Sequence, residues 1–123
     1  RVLGADRRQR EALVGLLTAD VTWAMPPNAV WFRGLPAVGA FLHAGPLVTP
    51  WRHVPARANG QLAVGCYTWD EDAQVWRGMV LDVLTLATDG RIAEVTAFIG
   101  AEHVARAGLP ATLPADTPLT APG

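Results

Sequence analysis

Two dipeptides constrain this chain more than anything else in it: Asn59-Gly60 and Asp89-Gly90. A two-residue hairpin turn needs backbone at positive φ, which Gly adopts freely and Asn or Asp tolerates. Each dipeptide stands between runs with strand character. "WRHVPARA" and "QLAVGCYTW" flank the first, and "VWRGMVLDVLTL" and "RIAEVTAFI" flank the second. The acidic "DEDAQ" at 70–74 is a longer loop joining the two hairpins. The stretch from 51 to 99 is therefore expected to be an antiparallel meander of four long strands.

What precedes the meander is mixed. Residues 1–17 read as helix in two pieces, with Ala12, Leu13, Leu16 and Leu17 forming one apolar stripe. "DVTWAM" alternates as a strand and is stopped by Pro26-Pro27; "VWFRG" is a second short strand. Leu35-Pro36 opens a helix with Val38, Phe41 and Leu42 on one side, and Gly45-Pro46 ends it. After the meander a short helix is expected around 101–107, closed by Gly108. The fold class is α+β, with helices covering a face of the sheet. Residues 1–108 form one domain, and 109–123 a Pro-rich extended or disordered tail.

Composition narrows the function classes. Half of the 123 residues are apolar and five are Trp, enough for one packed core. A net charge of −1 supplies no basic face for nucleic acid. The single cysteine, Cys66, excludes an internal disulfide and a Cys-based metal cluster, and no metal or cofactor is expected from ligand spacing. No apolar run approaches the ~20 residues that cross a bilayer, and no signal peptide is visible, so a cytoplasmic setting is expected. The chain opens on Arg1 inside a helical pattern and reads as a piece of something longer or trimmed.

One carboxylate, Asp82, falls within the most apolar strand. Pairing Thr88 with Arg91 sets Asp82 opposite Ala97, with Val80, Leu84, Val95 and Ile99 on the same face. The first turn sets Arg57 against Leu62 and His53 against Cys66. If Trp69 faces Val75, Leu62 falls opposite Asp82, and Arg57 stands about 10 Å away at the backbone, within side-chain reach. Asp82 is then a buried carboxylate neutralised by Arg57, a pocket carboxylate that binds or deprotonates a ligand, or a solvent-facing group if the register slips. His53 lies in the row of Cys66 and Gly78, about 13 Å along the strand from Asp82. A direct proton relay needs roughly 3 Å. Trp51, Cys66 and Trp76 are expected on the same inner face, joined by Trp23. These aromatics are core or the lining of an apolar cavity. The candidate pocket is thus Trp23, Trp51, His53, Arg57, Cys66, Trp76, Asp82 and Ala97. The outer face, with Tyr67, Met79, Leu81 and Phe98, is apolar enough to pair two copies. No Ser nucleophile elbow, Gly-rich phosphate loop or paired carboxylates are present.

"LLTADVTWAMPP", "WFRGLPAVGAFL" and "LTLATDGRIAEVTAFI" resemble a SnoaL-like domain of the nuclear transport factor two-like superfamily, over nearly the whole chain to about residue 114. More narrowly, "MPPNAVWFRG", "PARANGQLAV" and "VTAFIGAEHVARAGLPATLP" resemble the carboxy-terminal SnoaL-like extension of certain actinobacterial extracytoplasmic-function (ECF) sigma factors. The resemblance implies a cone: a curved sheet of the meander plus one or two short N-terminal strands, wrapped on helices around an open cavity. It implies a catalytically silent regulatory domain that tunes promoter-reading and polymerase-binding domains of the same chain. RNA polymerase would be a partner, and the cavity would be able to take a small apolar ligand, without direct nucleic-acid contact. SnoaL-like relatives also include polyketide cyclases, isomerases and epoxide hydrolases. In that alternative Asp82 is the general acid/base, with Arg57 or Trp23 orienting an apolar substrate.

Overall fold

The computed structural model describes residues 14–26, 31–45 and 49–118. Its elements in chain order are β1 (Leu17–Ala24), β2 (Trp31–Arg33), α1 (Leu35–Ala44), β3 (Trp51–Ala58), β4 (Gln61–Asp70), β5 (Val75–Leu86), β6 (Ile92–Ile99), α2 (Ala101–Arg106) and β7 (Thr112–Leu113). They form one sheet in the order β2-β1-β6-β5-β4-β3, with β7 paired to β5. The meander is antiparallel throughout, and β1 joins it parallel to β6. The expected N-terminal helical stretch lies mostly outside the described residues. Its last residue, Leu17, is strand rather than helix: it pairs with Ile92 and is buried with Val21 and Trp23. The alternation beginning at Leu17 outweighs the helical stripe that ends there.

The turns explain the register. Asn59 (φ 53) and Gly60 (φ 80) close a two-residue hairpin that sets Arg57 against Leu62 and His53 against Cys66. The second turn is one residue longer than the dipeptide suggests, because Ala87 donates to the Arg91 carbonyl and Leu86 pairs with Ile92. An extra residue in β6, Ala93, cancels that offset, and Asp82 faces Ala97 as expected.

Between β4 and β5 the expectation fails by two steps that add. Gln74 turns at positive φ and donates its N–H to the Asp70 carbonyl, so Asp70, not Trp69, faces Val75. Met79 then bulges: Cys66 pairs with Val80 while Tyr67 pairs with Gly78. Beyond the bulge Asp82 lies opposite Val64 instead of Leu62. A shift of two keeps Asp82 on its expected face. Trp76, ahead of the bulge, is shifted by one and flips to the other face.

The sheet is packed on both sides. On one, α1 covers β1 and β6 through Val38 and Leu42 against Leu17, Val21, Trp23 and Val95. On the other, α2 and the extended stretch after it cover Tyr67 and Trp76 through Val104, Leu109 and Leu113. Two glycines admit these partners. A Cβ on Gly78 would stand 2.9 Å from Val104, and one on Gly65 would collide with Leu109. Residues 109–118 hold the short strand β7 and a turn closed by the Thr117 N–H on the Pro114 carbonyl, and they are tied down. Tyr67 Oη donates to the Pro110 carbonyl at 2.6 Å, Trp76 Nε1 to Ala115, and Arg52 Nε to Thr117. Of the outer-face residues expected to pair two copies, Tyr67 and Leu81 are buried within the chain, Phe98 is half-buried and Met79 is exposed.

Candidate functional site

Asp82 is the centre of the candidate site because β5 delivers it onto the α1 side between Val64 and Ala97. Beside it, on the diagonal, lies Cys66, whose Sγ donates to Asp82 Oδ2 at 3.3 Å. The second carboxylate oxygen, Oδ1, is shut from solvent and has no hydrogen-bond partner, although Asp82 as a whole residue keeps partial exposure. Among the described residues no cation pairs with it.

The expected neutralisation by Arg57 does not occur. Arg57 faces Leu62, two residues further along β4 than the Val64 that faces Asp82, and it is exposed. With no counter-ion, burial dominates and pushes the Asp82 carboxyl up from 3.8 to about 6, opposed only by the thiol's hydrogen bond. Cys66 shifts the same way. Burial, then the neighbouring carboxylate charge, pushes its thiol well above the ordinary value, so it is a hydrogen-bond donor and not a thiolate nucleophile.

The remaining candidates divide by face and row. His53 pairs with Cys66, one row closer to Asp82 than expected. Two strands and two residues still separate it from the carboxylate, about 12 Å at the backbone. Burial, and then the charge of Arg52, lowers its pKa, so His53 stands neutral at neutral pH. Ala97 is buried opposite Asp82, where its small side chain leaves room. Trp23, paired with Val95, is on the same face but packs into the α1 core with Phe41. Trp51, paired with Thr68, lies one row beyond His53.

Trp76 is not part of the group. The Met79 bulge turns it to the α2 side, where it meets Trp69 edge-on and Arg52 stacks over it at 4.0 Å. Arg52 itself escaped the sequence reading. Its signal was its position: one residue from His53 in a strand, it must face away from it. Among the described residues no group of His, Cys, Asp and Glu could hold a metal ion, and no helix is long and apolar enough to cross a membrane.

The site therefore offers one uncompensated carboxyl with its pKa raised to about 6, one oxygen held by Cys66 and the other shut from solvent. A sheet of this order, with α1 packed against one face, matches known structures. The chain superposes on an NTF-2-like protein of unknown function from Burkholderia xenovorans with a TM-score of 0.59 and 12% identity, over 93% of this chain and 75% of that one. A SnoaL-like protein of unknown function from Burkholderia thailandensis gives 0.54 and 16%, over 76% and 82%. The fold is SnoaL-like. The same SnoaL-like cone occurs in SalBIII, an epoxide hydrolase/cyclase-like enzyme of salinomycin pyran-ring formation, at a TM-score of 0.54 and 19% identity over 74% of this chain and 78% of that one. In sequence, this SnoaL-like chain is 34% identical to the ECF RNA polymerase sigma factor SigG of Mycobacterium tuberculosis over 106 residues, 84% of its length. It spans 28% of that relative. No family model matches the chain.

Proposed function

We propose that this chain is the regulatory SnoaL-like domain of an ECF sigma factor, located carboxy-terminal to the polymerase-binding and promoter-reading domains. Its role is to pack against them and bias their arrangement during transcription initiation in the cytoplasm. The observation that carries this reading is the 34% identity to SigG over 84% of the chain. Its charge balance is consistent with it: a net charge of −1 suits a domain that contacts protein rather than promoter DNA. A small apolar ligand beside Asp82 would act only through a difference in affinity for the two arrangements.

The test is the reading frame upstream of the Arg1 codon, followed by run-off transcription. Sigma domains in frame, and transcript yield from the reconstituted holoenzyme that changes when residues 1–123 are deleted, are the expected results. A start codon just ahead of Arg1 overturns the reading, as does a transcript yield indifferent to the deletion.

A second reading, a small enzyme with Asp82 as general base, draws on one specific observation. The carboxyl pKa is raised to about 6, and one oxygen, Oδ1, has no hydrogen-bond partner, although it is shut from solvent and a substrate would have to open the wall to reach it. Against it stands the distance to His53, two strands and two residues away, with no hydrogen bond between the two among the described residues, and the thiol beside the carboxyl is itself held protonated.

A further inference from the structure

The α2 side of the sheet is covered unevenly. The α2 helix and the stretch after it lie over Tyr67 and Trp76, on β4 and the first half of β5. The far end of that face, made by β2, β1 and β6, carries no buried cluster among the described residues. Strand pairing fixes which side chains stand there. Phe32, Trp23 and Val95 form one row across the three strands and pack into the α1 core. Their neighbours along each strand therefore point to the α2 side. One such row is Trp31, Ala24 and Thr96; the next is Arg33, Thr22 and Glu94.

This patch is polarised about β1. Trp31 is 57% exposed, the most exposed large apolar side chain among the described residues. Arg33 and Glu94 are exposed, and neither forms an ion pair among the described residues; the Arg33 guanidinium lies 5.7 Å from the Trp31 ring. One edge is thus aromatic and positive, the other small and negative, with only Thr22 and Ala24 between them. An isologous interface uses the same patch on both partners. A two-fold axis running along β1, between two facing sheets, exchanges β2 with β6 and keeps every row level. Arg33 of one copy then faces Glu94 of the other, and Trp31 lies over Thr96 and Ala24, whose short side chains leave space for an indole. Each pair forms twice. The patch is only about 10 Å wide from β2 to β6. That falls short of the ~800 Å² per partner of a stable complex, so the association is one that dissociates on dilution.

We propose that the α2-side face of β2, β1 and β6 binds a second copy of this chain, forming a reversible two-fold dimer through reciprocal Arg33–Glu94 pairs and Trp31 over Thr96. The surface is separate from the Asp82 wall and independent of the sigma-factor reading. A neighbouring sigma domain is the rival occupant, but it gives no reason for opposite charges set symmetrically about β1.

Sedimentation equilibrium over a dilution series tests it. The parent should self-associate reversibly, and R33E and E94R should each weaken association about tenfold or more, since each sets like charges face to face twice. An equimolar mixture of R33E and E94R should regain the parent's association, because each variant carries the charge the other needs; a contact within one chain cannot be rescued by mixing. W31A should also weaken association about tenfold. All three side chains are exposed, so the urea midpoints of these variants should stay near the parent's. A parent that is monomeric throughout the series overturns the proposal, as does a mixture that associates no better than either variant alone. Association indifferent to all three substitutions overturns it too. So does deuterium exchange that protects 22–24, 31–33 and 94–96 only when an upstream sigma domain is attached, which assigns the face to that domain.

Discussion

At the scale of single residues, a buried carboxyl without a counter-ion should make folding depend on pH in an unusual direction. The folded-state pKa of Asp82 is raised to about 6 from 3.8, so the folded protein holds this proton more tightly than the unfolded chain does. Its contribution is fully present below pH 4 and is lost as pH rises through 6, by roughly 2–3 kcal/mol. His53 works against it. Its lowered pKa makes the folded form resist protonation, so its contribution is lost as pH falls. The two opposing slopes are separated by comparison with D82N. From pH 4 to pH 7, urea titrations should show D82N gaining roughly 2 kcal/mol relative to the parent. A constant difference would mean the carboxyl is ionised as in water. The same variant weighs the enzyme reading, since loss of turnover on an apolar oxygenated substrate with the fold intact would favour it. How Asp82 reached this position was half legible. The Asp89-Gly90 turn placed it opposite Ala97, while its supposed arginine partner depended on a β4–β5 register that no residue type announced. Gln74 at positive φ and the bulge at Met79 are backbone events, written in side chains that are ordinary in strands.

At the scale of elements, the stretch after Gly108 works as a strap. Its prolines suggested an extended or loose tail, whereas residues 109–118 hold a two-residue strand and a turn at Pro114. What composition could not convey is that its free carbonyls at Pro110, Ala115 and Thr117 meet Tyr67, Trp76 and Arg52 on the sheet. Nor could it convey that Leu109 fills the space above Gly65. Those partners lie 39 to 65 residues away in sequence for the three hydrogen bonds, beyond any local pattern. Ending the chain at Gly108 would expose Tyr67 and Trp76, strip the burial of Leu109 and Leu113, and remove the β5–β7 pairs. The expected loss is about 3–5 kcal/mol in urea titration. Tyr67→Phe, which removes only the bond to Pro110, should cost about 1 kcal/mol. A truncated chain with an unchanged midpoint would show that the strap adds nothing to stability.

For the whole molecule, the organising fact is a sheet that is buried on both sides and a single strand that belongs to both interiors. Up to Gly78, β5 presents Trp76 and Gly78 to α2; past the Met79 bulge it presents Asp82 and Leu84 to the α1 side. A strand covered on both faces has no alternation to read, which is why the sequence yielded the strands but assigned Trp76 to the wrong interior. The two cores share only the sheet between them. Val38 and Val104, one in each helix, are buried on opposite faces and in separate clusters. Val38→Ala and Val104→Ala should each cost roughly 2 kcal/mol. If the sheet acts as a rigid partition, the double variant should lose the sum of the two within about 0.5 kcal/mol, because neither cavity shares a wall with the other. A bulged strand that shifts to fill one cavity would disturb the other, and the losses would then fall short of or exceed the sum. Urea unfolding of the four proteins decides between the two. A coupling energy above about 1 kcal/mol would identify β5 as the element through which events on the α2 side reach Asp82.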